Sequence, residues 1–424
     1  MRSFLRSVGR GKRVRKRLGT VRVVERADFD EMELDARVAM IQSLVPLALM
    51  HVQDVLMKDV EALAGGRYSR DPATGYRAGS NPGTVRLAGQ RVPIRVPRVR
   101  GEAGELPLPS YQALKGRGVV DDGLLRRVLY GVSCRNYEAA AEVIPGALGL
   151  SSSSVSRSFV EASSAKLKEF QDRDLSKENI VAIFLDGKSF SDEMMVLALG
   201  VSITGEKRIL GFVETDTENE KVLTPFLQSL LERGMDISEG LLVILDGGKG
   251  LRAAVKRAFG SKAAVQRCQW HKRENVVSHL PRAEQAMWRK RLQRAYDRPT
   301  YKEARAALML IYRELELKNQ SAAASLLEGL EETLTLHRLG VFALLGRSFK
   351  TTNCLESVNS QIEERCAKVD CWKNSSQRQR WLATSLMDIE PRLRKAMGYQ
   401  HMDKLRGALQ KDLKLGGKSQ EKAA

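Results

Sequence analysis

Three carboxylates in this sequence lie where predicted elements end or begin, and together they could hold a metal ion. Asp186 and Asp246 follow the apolar runs 179–185 and 241–245, and Glu356 lies in the first turns of a predicted helix. Carboxylates that are drawn together repel one another, and a hard divalent cation such as Mg²⁺ or Mn²⁺ makes the arrangement favourable. One acid at the end of one strand is common, so the interpretation depends on the fold bringing all three together.

The third position has competing candidates on the same predicted helix. Glu363 and Glu364 follow Glu356 by about two turns, and Glu363 shares its face. The loop 246–250, Asp-Gly-Gly-Lys-Gly, lacks the first Gly and the Ser or Thr of a nucleotide-binding loop, so nucleotide hydrolysis is not supported. Its glycines indicate close backbone approach to a metal ion or phosphate.

Cys268 and His271 form a Cys-x-x-His pair that follows a short predicted strand. A structural zinc site needs four ligands, so Cys366, Cys371 or His279 would have to complete it. The ligand count favours the alternative, in which Cys268 packs in the core and His271 orients a catalytic group or contacts phosphate.

Three tryptophans, at positions 270, 288 and 372, could stack on unpaired bases. Packing in the core is the expected environment of each.

The elements around these residues have a defined order. Strands are predicted at 179–185, 194–203 and 208–214, with a turn at 204–207, and these three should pair antiparallel. The elements that follow are a helix at 218–235, a strand at 241–245, a helix at 251–259 and a strand at 263–265. The order β-β-β-α-β-α-β is that of a ribonuclease H-like fold. Right-handed crossovers would place the fourth strand parallel to the first, with Asp186 beside Asp246.

A helical segment interrupts this order. Helices are predicted at 283–296, at 301–317 with Thr300 as the cap, and at 322–336. The last helix of the fold then begins near residue 351 and carries Glu356.

The part before residue 175 has the features of a nucleic-acid-binding region. A helical stretch at 27–64 is followed by strand-like pieces at 84–87 and 92–96, and four arginines concentrate charge there: Arg91, Arg95, Arg98 and Arg100. Helical patterns at 137–144 and after 150, broken at Pro145–Gly146, resemble a helix-turn-helix, with Ser151 or Ser152 as the cap. The residues that this motif would place near DNA are Ser153, Ser154, Ser156 and Arg157. The alternative is an ordinary helical hairpin whose serines only cap.

Composition agrees with a polyanionic partner. The 424 residues carry a formal net charge of +19, which points to nucleic acid or an anionic surface. No apolar run approaches the ~20 residues of a membrane-spanning helix, and the N-terminus lacks the apolar centre of a secretory signal. Five scattered cysteines give no disulfide framework, so we expect a reducing compartment, cytoplasmic or nuclear.

These patterns divide the chain into seven segments. They are a basic arm at 1–26, a helical and basic strand region at 27–120, a helix-turn-helix-like region at 121–175, the first part of the core at 176–280, the helical insertion at 281–345, the last part of the core at 346–403 and a basic tail at 404–424.

The sequence resembles the Mutator-type transposases of bacterial insertion sequences over nearly its whole length. The residues that carry the resemblance are Gly75-Tyr-Arg77, Val96-Pro-Arg-Val-Arg100, Asp186 in FLDGKSF, Asp246 in LDGGKG, Cys268-Gln-Trp-His271, Thr352-Asn-Cys-Leu-Glu356, Asn359 and Arg365. Their order together is specific, although the Arg-rich N-terminus is not part of the pattern.

The resemblance implies a DDE transposase with an α/β, ribonuclease H-like core and an all-helical insertion before the final Glu. Asp186, Asp246 and Glu356 would be catalytic and would hold two Mg²⁺ or Mn²⁺ ions for in-line phosphoryl transfer. The expected partners are double-stranded DNA, both transposon ends and target, and further copies of the chain in a homodimer or larger assembly. The location that the resemblance implies is the bacterial cytoplasm, near the nucleoid. Two alternatives remain: a nuclease or resolvase of the same fold, and an inactive DNA-binding protein descended from a transposase.

Overall fold

The computed structural model describes residues 13–16, 19–22, 51–67, 75–87, 90–115, 122–131, 134, 151–190, 193–217 and 219–415. Their contacts define two units. The first comprises the described residues within Met1–Val128 and Val132–Phe159, and the second those within Leu129–Gly131 and Val160–Ala424.

The first unit is built on an antiparallel sheet covered by a helix. Its elements are the hairpin β1 (Arg13–Lys16) and β2 (Gly19–Arg22), the helix α1 (51–64), the sheet β3 (Tyr76–Leu87), β4 (Gln90–Gly101) and β5 (Gly104–Leu106), and the helices α2 (Pro109–Lys115) and α3 (Asp122–Leu129). Val52, Leu56 and Val60, four residues apart on α1, pack against Val85 and Val99 of the sheet. The strands β3 and β4 extend beyond the predicted strands at 84–87 and 92–96, which were too short.

The helix α4 (Ser152–Gln171) begins in the first unit and continues into the second. Its first turn is capped as predicted, because the Ser154 amide donates to Ser151 Oγ at 3.4 Å. The first predicted helix of the helix-turn-helix, 137–144, and its break at Pro145–Gly146 lie outside the described residues, as do residues 27–50.

A five-stranded mixed sheet forms the centre of the second unit. In spatial order its strands are β10 (Ala263–Arg267), β9 (Leu241–Leu245), β6 (Ile180–Phe190), β7 (Glu193–Ser202) and β8 (Lys207–Thr215). The strands β6, β7 and β8 pair antiparallel, whereas β9 runs parallel to β6 and β10 parallel to β9. The chain is thus a mixed α/β protein with the predicted order of strands.

The central strand is buried on both faces. Ile183 and Leu185 pack in one core with residues of α5 (Glu220–Glu232) and α6 (Lys249–Phe259). Phe184 points to the other face and stacks on Phe349 with ring centroids 5.6 Å apart. The prediction that β6 ends at Asp186 was wrong, because its antiparallel pairing with β7 continues to Phe190 and Glu193.

The strand β10 is followed by the helix α7 (Gln269–Ser278). The segment predicted as the insertion is helical, as expected, and its helices are α8 (Arg282–Tyr296), α9 (Tyr301–Lys318), α10 (Gln320–Leu327), α11 (Leu330–Thr333), α12 (Thr335–Arg338) and α13 (Phe342–Phe349), the last of which ends beyond residue 345. Thr300 caps α9 through a bond from the Glu303 amide. The single helix predicted at 322–336 was wrong, since there are two breaks: Gly329, at φ +69°, separates α10 from α11, and Leu334, at φ −105° and ψ 9°, separates α11 from α12.

Three further helices complete the second unit: α14 (Asn353–Cys366), α15 (Ser375–Ile389) and α16 (Met402–Asp412). A buried ion pair joins the first two, because Arg365 donates to Asp388 Oδ2 at 2.9 and 3.0 Å. Tyr130 Oη donates to the same oxygen at 2.8 Å. None of the described helices is both long and apolar enough to cross a membrane.

Replacing Asp388 by Ala should destabilise the second unit by about 3–5 kcal/mol, because the buried Arg365 guanidinium would lose its carboxylate. Urea unfolding followed by tryptophan fluorescence measures the effect. Arg305→Ala, which removes a solvent-exposed ion pair with Glu331, should leave the midpoint unchanged. Equal midpoints for both variants would show that the pair between Arg365 and Asp388 does not stabilise the fold.

Candidate active site

Two of the predicted carboxylates lie side by side at the centre of the mixed sheet. Leu185 of β6 is paired in parallel with Leu245 of β9, and this is the last pair of the ladder. Asp186 and Asp246 are the next residues on these strands, which are spaced by about 4.8 Å. The predicted juxtaposition of the two acids therefore follows from the strand register.

The Asp186 side chain lies in a largely dry environment beside α14. Asp186 is 8% exposed. Burial raises the pKa of the Cys354 thiol to about 12, and the negative charge of Asp186 adds to that rise. The first turn of α14 is thus close enough to β6 for its groups to sense the Asp186 carboxylate.

Asp246 is held by the loop that follows β9. Its Oδ1 accepts a bond from the Gly248 amide at 3.0 Å. Gly247 adopts φ +111°, which L side chains rarely reach. The direction of the Asp246 carboxylate is therefore set by the backbone of Gly247 and Gly248.

The structure distinguishes the two main candidates for the third carboxylate. Glu356 lies in the first turn of α14 and is exposed, whereas Leu355 and Asn359 of the same helix are buried. Glu363 lies two turns later, with its carboxylate 2.5 Å from Nζ of Lys188 on β6. The Glu363 carboxylate is therefore already paired with a cation. Glu356 lies in the first turn of α14, together with Cys354.

The donor chemistry of this region fits a hard divalent cation. Asp186, Asp246 and Glu356 offer carboxylate oxygens alone, the ligands that Mg²⁺ prefers. Within the described part of the chain, no group of three or more His, Cys, Asp or Glu side chains is close enough to hold a metal ion. The structure thus brings Asp186 and Asp246 together, and Glu356 does not close a three-carboxylate cluster with them.

Cys268 and His271 lie at the junction between β10 and α7, next to the acids. Cys268 is fully buried, and Thr352 Oγ1 donates to its Sγ at 3.8 Å. Cys366 is buried and Cys371 is exposed, and the structure groups neither with this pair as metal ligands. The environment of Cys268 agrees with the predicted core position.

The charges of these groups are coupled. Burial raises the pKa of the Cys268 thiol, but the interactions with His271 outweigh it and hold that pKa below its usual value. Interaction with Cys268 is the largest cause that raises the pKa of His271 to about 9, and the charges of Asp186 and Asp246 add to the rise. A pKa of about 9 makes His271 a cation near neutral pH, and both carboxylates favour that charge.

Trp270 differs from the other tryptophans. It is 41% exposed and meets His271 edge-to-face at a centroid distance of 4.8 Å. Trp288 is buried, as expected, and Trp372 packs on Phe190. The expectation that all three belong to the core was wrong for Trp270.

The arginines of β4 differ in how they are engaged. Arg91 and Arg100 are exposed. Arg95 donates to Ser80 Oγ at 3.0 Å, and Arg98 forms an ion pair with Glu105 at 2.8 Å. Arg91 and Arg100 are therefore the more available cations for an anionic partner.

The candidates on α4 lie in its first turns. Ser153, Ser156 and Arg157 are exposed, and Ser154 is half-buried. Their side chains occupy the surface of the helix that Ser151 caps.

Sequence reasoning missed Arg267, the last residue of β10. It is buried, and its guanidinium lies against Gly247, next to Asp246. An arginine at the end of a short apolar strand was the available signal.

Comparisons with known proteins identify the family to which the chain belongs. The family described as "Transposase, Mutator family" matches residues 24–396, so the chain belongs to the Mutator family of transposases. It is 28% identical over 315 residues to the transposase for insertion sequence element IS256 in transposon Tn4001 of Staphylococcus aureus, covering 70% of this chain and 76% of that one. It is also 28% identical over 366 residues to the transposase for insertion sequence element ISRM5 of Rhizobium meliloti, covering 84% and 89%.

Removal of the Cys268 thiol should lower the pKa of His271 from about 9 toward its ordinary value of about 6.5, since Cys268 is the largest cause of the rise. A pH titration of the His271 imidazole signal by NMR, assigned by its loss in His271→Gln, measures the change in Cys268→Ala. Cys354→Ala serves as the control. A His271 pKa that stays near 9 in Cys268→Ala contradicts the coupling.

Proposed function

We propose that this protein is a DNA transposase that binds the terminal inverted repeats of an insertion sequence and catalyses metal-dependent strand cleavage and strand transfer. The observation that carries the proposal is the register of β6 and β9, which sets Asp186 beside Asp246 at the end of the parallel pairing. Membership of the Mutator transposase family supports the same activity. The strand order β8-β7-β6-β9-β10 supports a ribonuclease H-like core.

Asp186 and Asp246 would hold the divalent ions, and Glu356 on α14 would complete the ligands. When bound, two Mg²⁺ or Mn²⁺ ions activate the attacking oxygen and stabilise the leaving oxygen of an in-line phosphoryl transfer. The side chains of this protein would fix the positions of these ions. Burial of Asp186 strengthens its interaction with a cation, because the surrounding dielectric is low.

The proposal gives the cationic His271 and the exposed Trp270 a role in contacting DNA. His271 would attract the scissile phosphate through its positive charge, and Trp270 would stack on a base next to the cleaved bond. Two DNA ends of an element must be held together, which requires two end-binding sites, so a homodimer or larger assembly on DNA is part of the proposal.

Asp246→Asn should reduce cleavage and strand transfer by roughly 1,000-fold, which corresponds to about 4 kcal/mol of lost charge stabilisation. The assay uses the purified protein, Mg²⁺ and a repeat-ended duplex, with joined products separated on a gel. An Asp246→Asn protein that keeps full activity would sink the assignment. Cleavage without joining by the unmodified protein would point to a nuclease.

Glu356→Gln should cause a similar loss, whereas Glu363→Gln should retain most of the activity, because its carboxylate pairs with Lys188. The two variants remove the same charge from the same helix, so each controls for the other. The reverse ranking would assign the third carboxylate to Glu363.

Replacing Arg91 and Arg100 together by Ala should weaken DNA binding and reduce the slope of log K against log salt by about 1.8, which is about 0.9 per phosphate contact. Fluorescence anisotropy at several salt concentrations measures the slope. The matched control is Lys302→Ala with Arg313→Ala, which removes two exposed charges from α9. An unchanged slope in the Arg91 and Arg100 variant would exclude them as phosphate contacts.

A further inference from the structure

The guanidinium of Arg267 lies between two glycines that belong to different parts of the second unit. A Cβ on Gly247 would be 1.9 Å from Arg267 Nε, and a Cβ on Gly329 would be 2.5 Å from its Nη1. Gly247 follows Asp246, and Gly329 begins α11 of the helical insertion. The arginine can approach both positions because glycine has no Cβ. Both glycines also have positive φ, a conformation that L side chains rarely adopt.

The two terminal nitrogens of the Arg267 guanidinium bind to the insertion. Arg267 Nη1 donates to the backbone carbonyl of Glu328 at 3.2 Å, and its Nη2 lies 3.5 Å from the Glu328 carboxylate. The same carboxylate is 3.3 Å from Nζ of Lys272, a fully buried residue that also donates to the Ser325 carbonyl at 2.7 Å. The segment 325–329 is therefore fixed to two buried cations.

Buried polar bonds extend this attachment along β10. Gln266 Nε2 donates to the Thr333 carbonyl at 2.9 Å, and its Oε1 accepts from the Leu336 amide at 2.9 Å. Thr335 Oγ1 donates to the Val265 carbonyl at 2.6 Å. Because an unpaired buried polar group costs about 1–3 kcal/mol, α11 and α12 cannot shift relative to β10 without losing these bonds together.

We propose that Arg267 is a positioning residue through which the helical insertion sets the orientation of Asp246. The guanidinium packs against Gly247, and the backbone of Gly247 and Gly248 directs the Asp246 carboxylate through the bond from the Gly248 amide. The proposal rests on the proposed function, in which Asp246 is a metal ligand. It adds a role for the insertion that does not require the insertion to touch the metal ion.

The chemistry of arginine suits this role. Its planar guanidinium fits between two backbone segments and still donates in its own plane, which an ammonium group cannot do. Arg267→Lys keeps the positive charge near Glu328 but removes the planar contact with Gly247. Gly247→Ala keeps Arg267 but forces its side chain to move, and it also strains the backbone next to Asp246 because φ at this position is +111°.

The test measures Mn²⁺ binding by electron paramagnetic resonance in the absence of DNA, with the full chain. Arg267→Lys and Gly247→Ala should each weaken Mn²⁺ binding by about 10- to 100-fold, the range typical of residues that orient metal ligands. DNA affinity measured by anisotropy in EDTA should change by less than about two-fold. The double variant should weaken Mn²⁺ binding by less than the product of the two single effects, because both substitutions disturb the same contact.

Arg252→Ala is the matched control, because Arg252 pairs with Glu332 of the insertion but is largely exposed. It should bind Mn²⁺ like the unmodified protein. The positioning role is overturned if Arg267→Lys also binds Mn²⁺ like the unmodified protein while Asp246→Asn loses Mn²⁺, whatever the effect of Gly247→Ala. If Asp246→Asn itself keeps Mn²⁺ binding, the proposed function fails instead. Thermal unfolding identifies any variant that does not fold, and the other variant then decides.

Discussion

The parallel pairing of β6 with β9 is the constraint on which the candidate site depends. It ends at Leu185 and Leu245, and the chain places an acid immediately after each. Two carboxylates on neighbouring strands repel one another, so the arrangement is unfavourable unless a cation or a fixed dipole compensates. The cationic His271 and the Gly248 amide supply part of this compensation within the chain.

Apolar packing around β6 and β9 holds the two strands in place against the repulsion between the carboxylates. Residues of β6 and β9 are buried on both faces of the sheet, and α5 and α6 share one continuous core with them. A strand fixed in this way cannot slip by one residue, because every side chain would then move to the opposite face. The register that brings the acids together is thus enforced by apolar packing.

Much of this arrangement could be predicted from the sequence because it depends on local patterns. Apolar runs that end in Asp186 and Asp246 identify the strands, and the crossover rule makes them neighbours. The end of β6 was missed because its last residues are specified by pairing with β7, which is a tertiary effect. Gly329 and Arg267 lie against each other although they come from distant segments, and local patterns do not specify such a contact. Trp270 was expected in the core because tryptophans usually are, but it lies on the exposed face of α7, whereas the neighbouring Gln269 is buried.

The central claim is that Asp186 and Asp246 act together as ligands of divalent ions. The most direct measurement is a crystal structure of the protein with Mn²⁺ and a DNA end, in which anomalous scattering locates the ions. The account predicts manganese peaks in contact with carboxylate oxygens of both Asp186 and Asp246, with Glu356 of α14 adjacent. Peaks at Cys268 and His271 instead, or the absence of manganese beside the two aspartates, would contradict it.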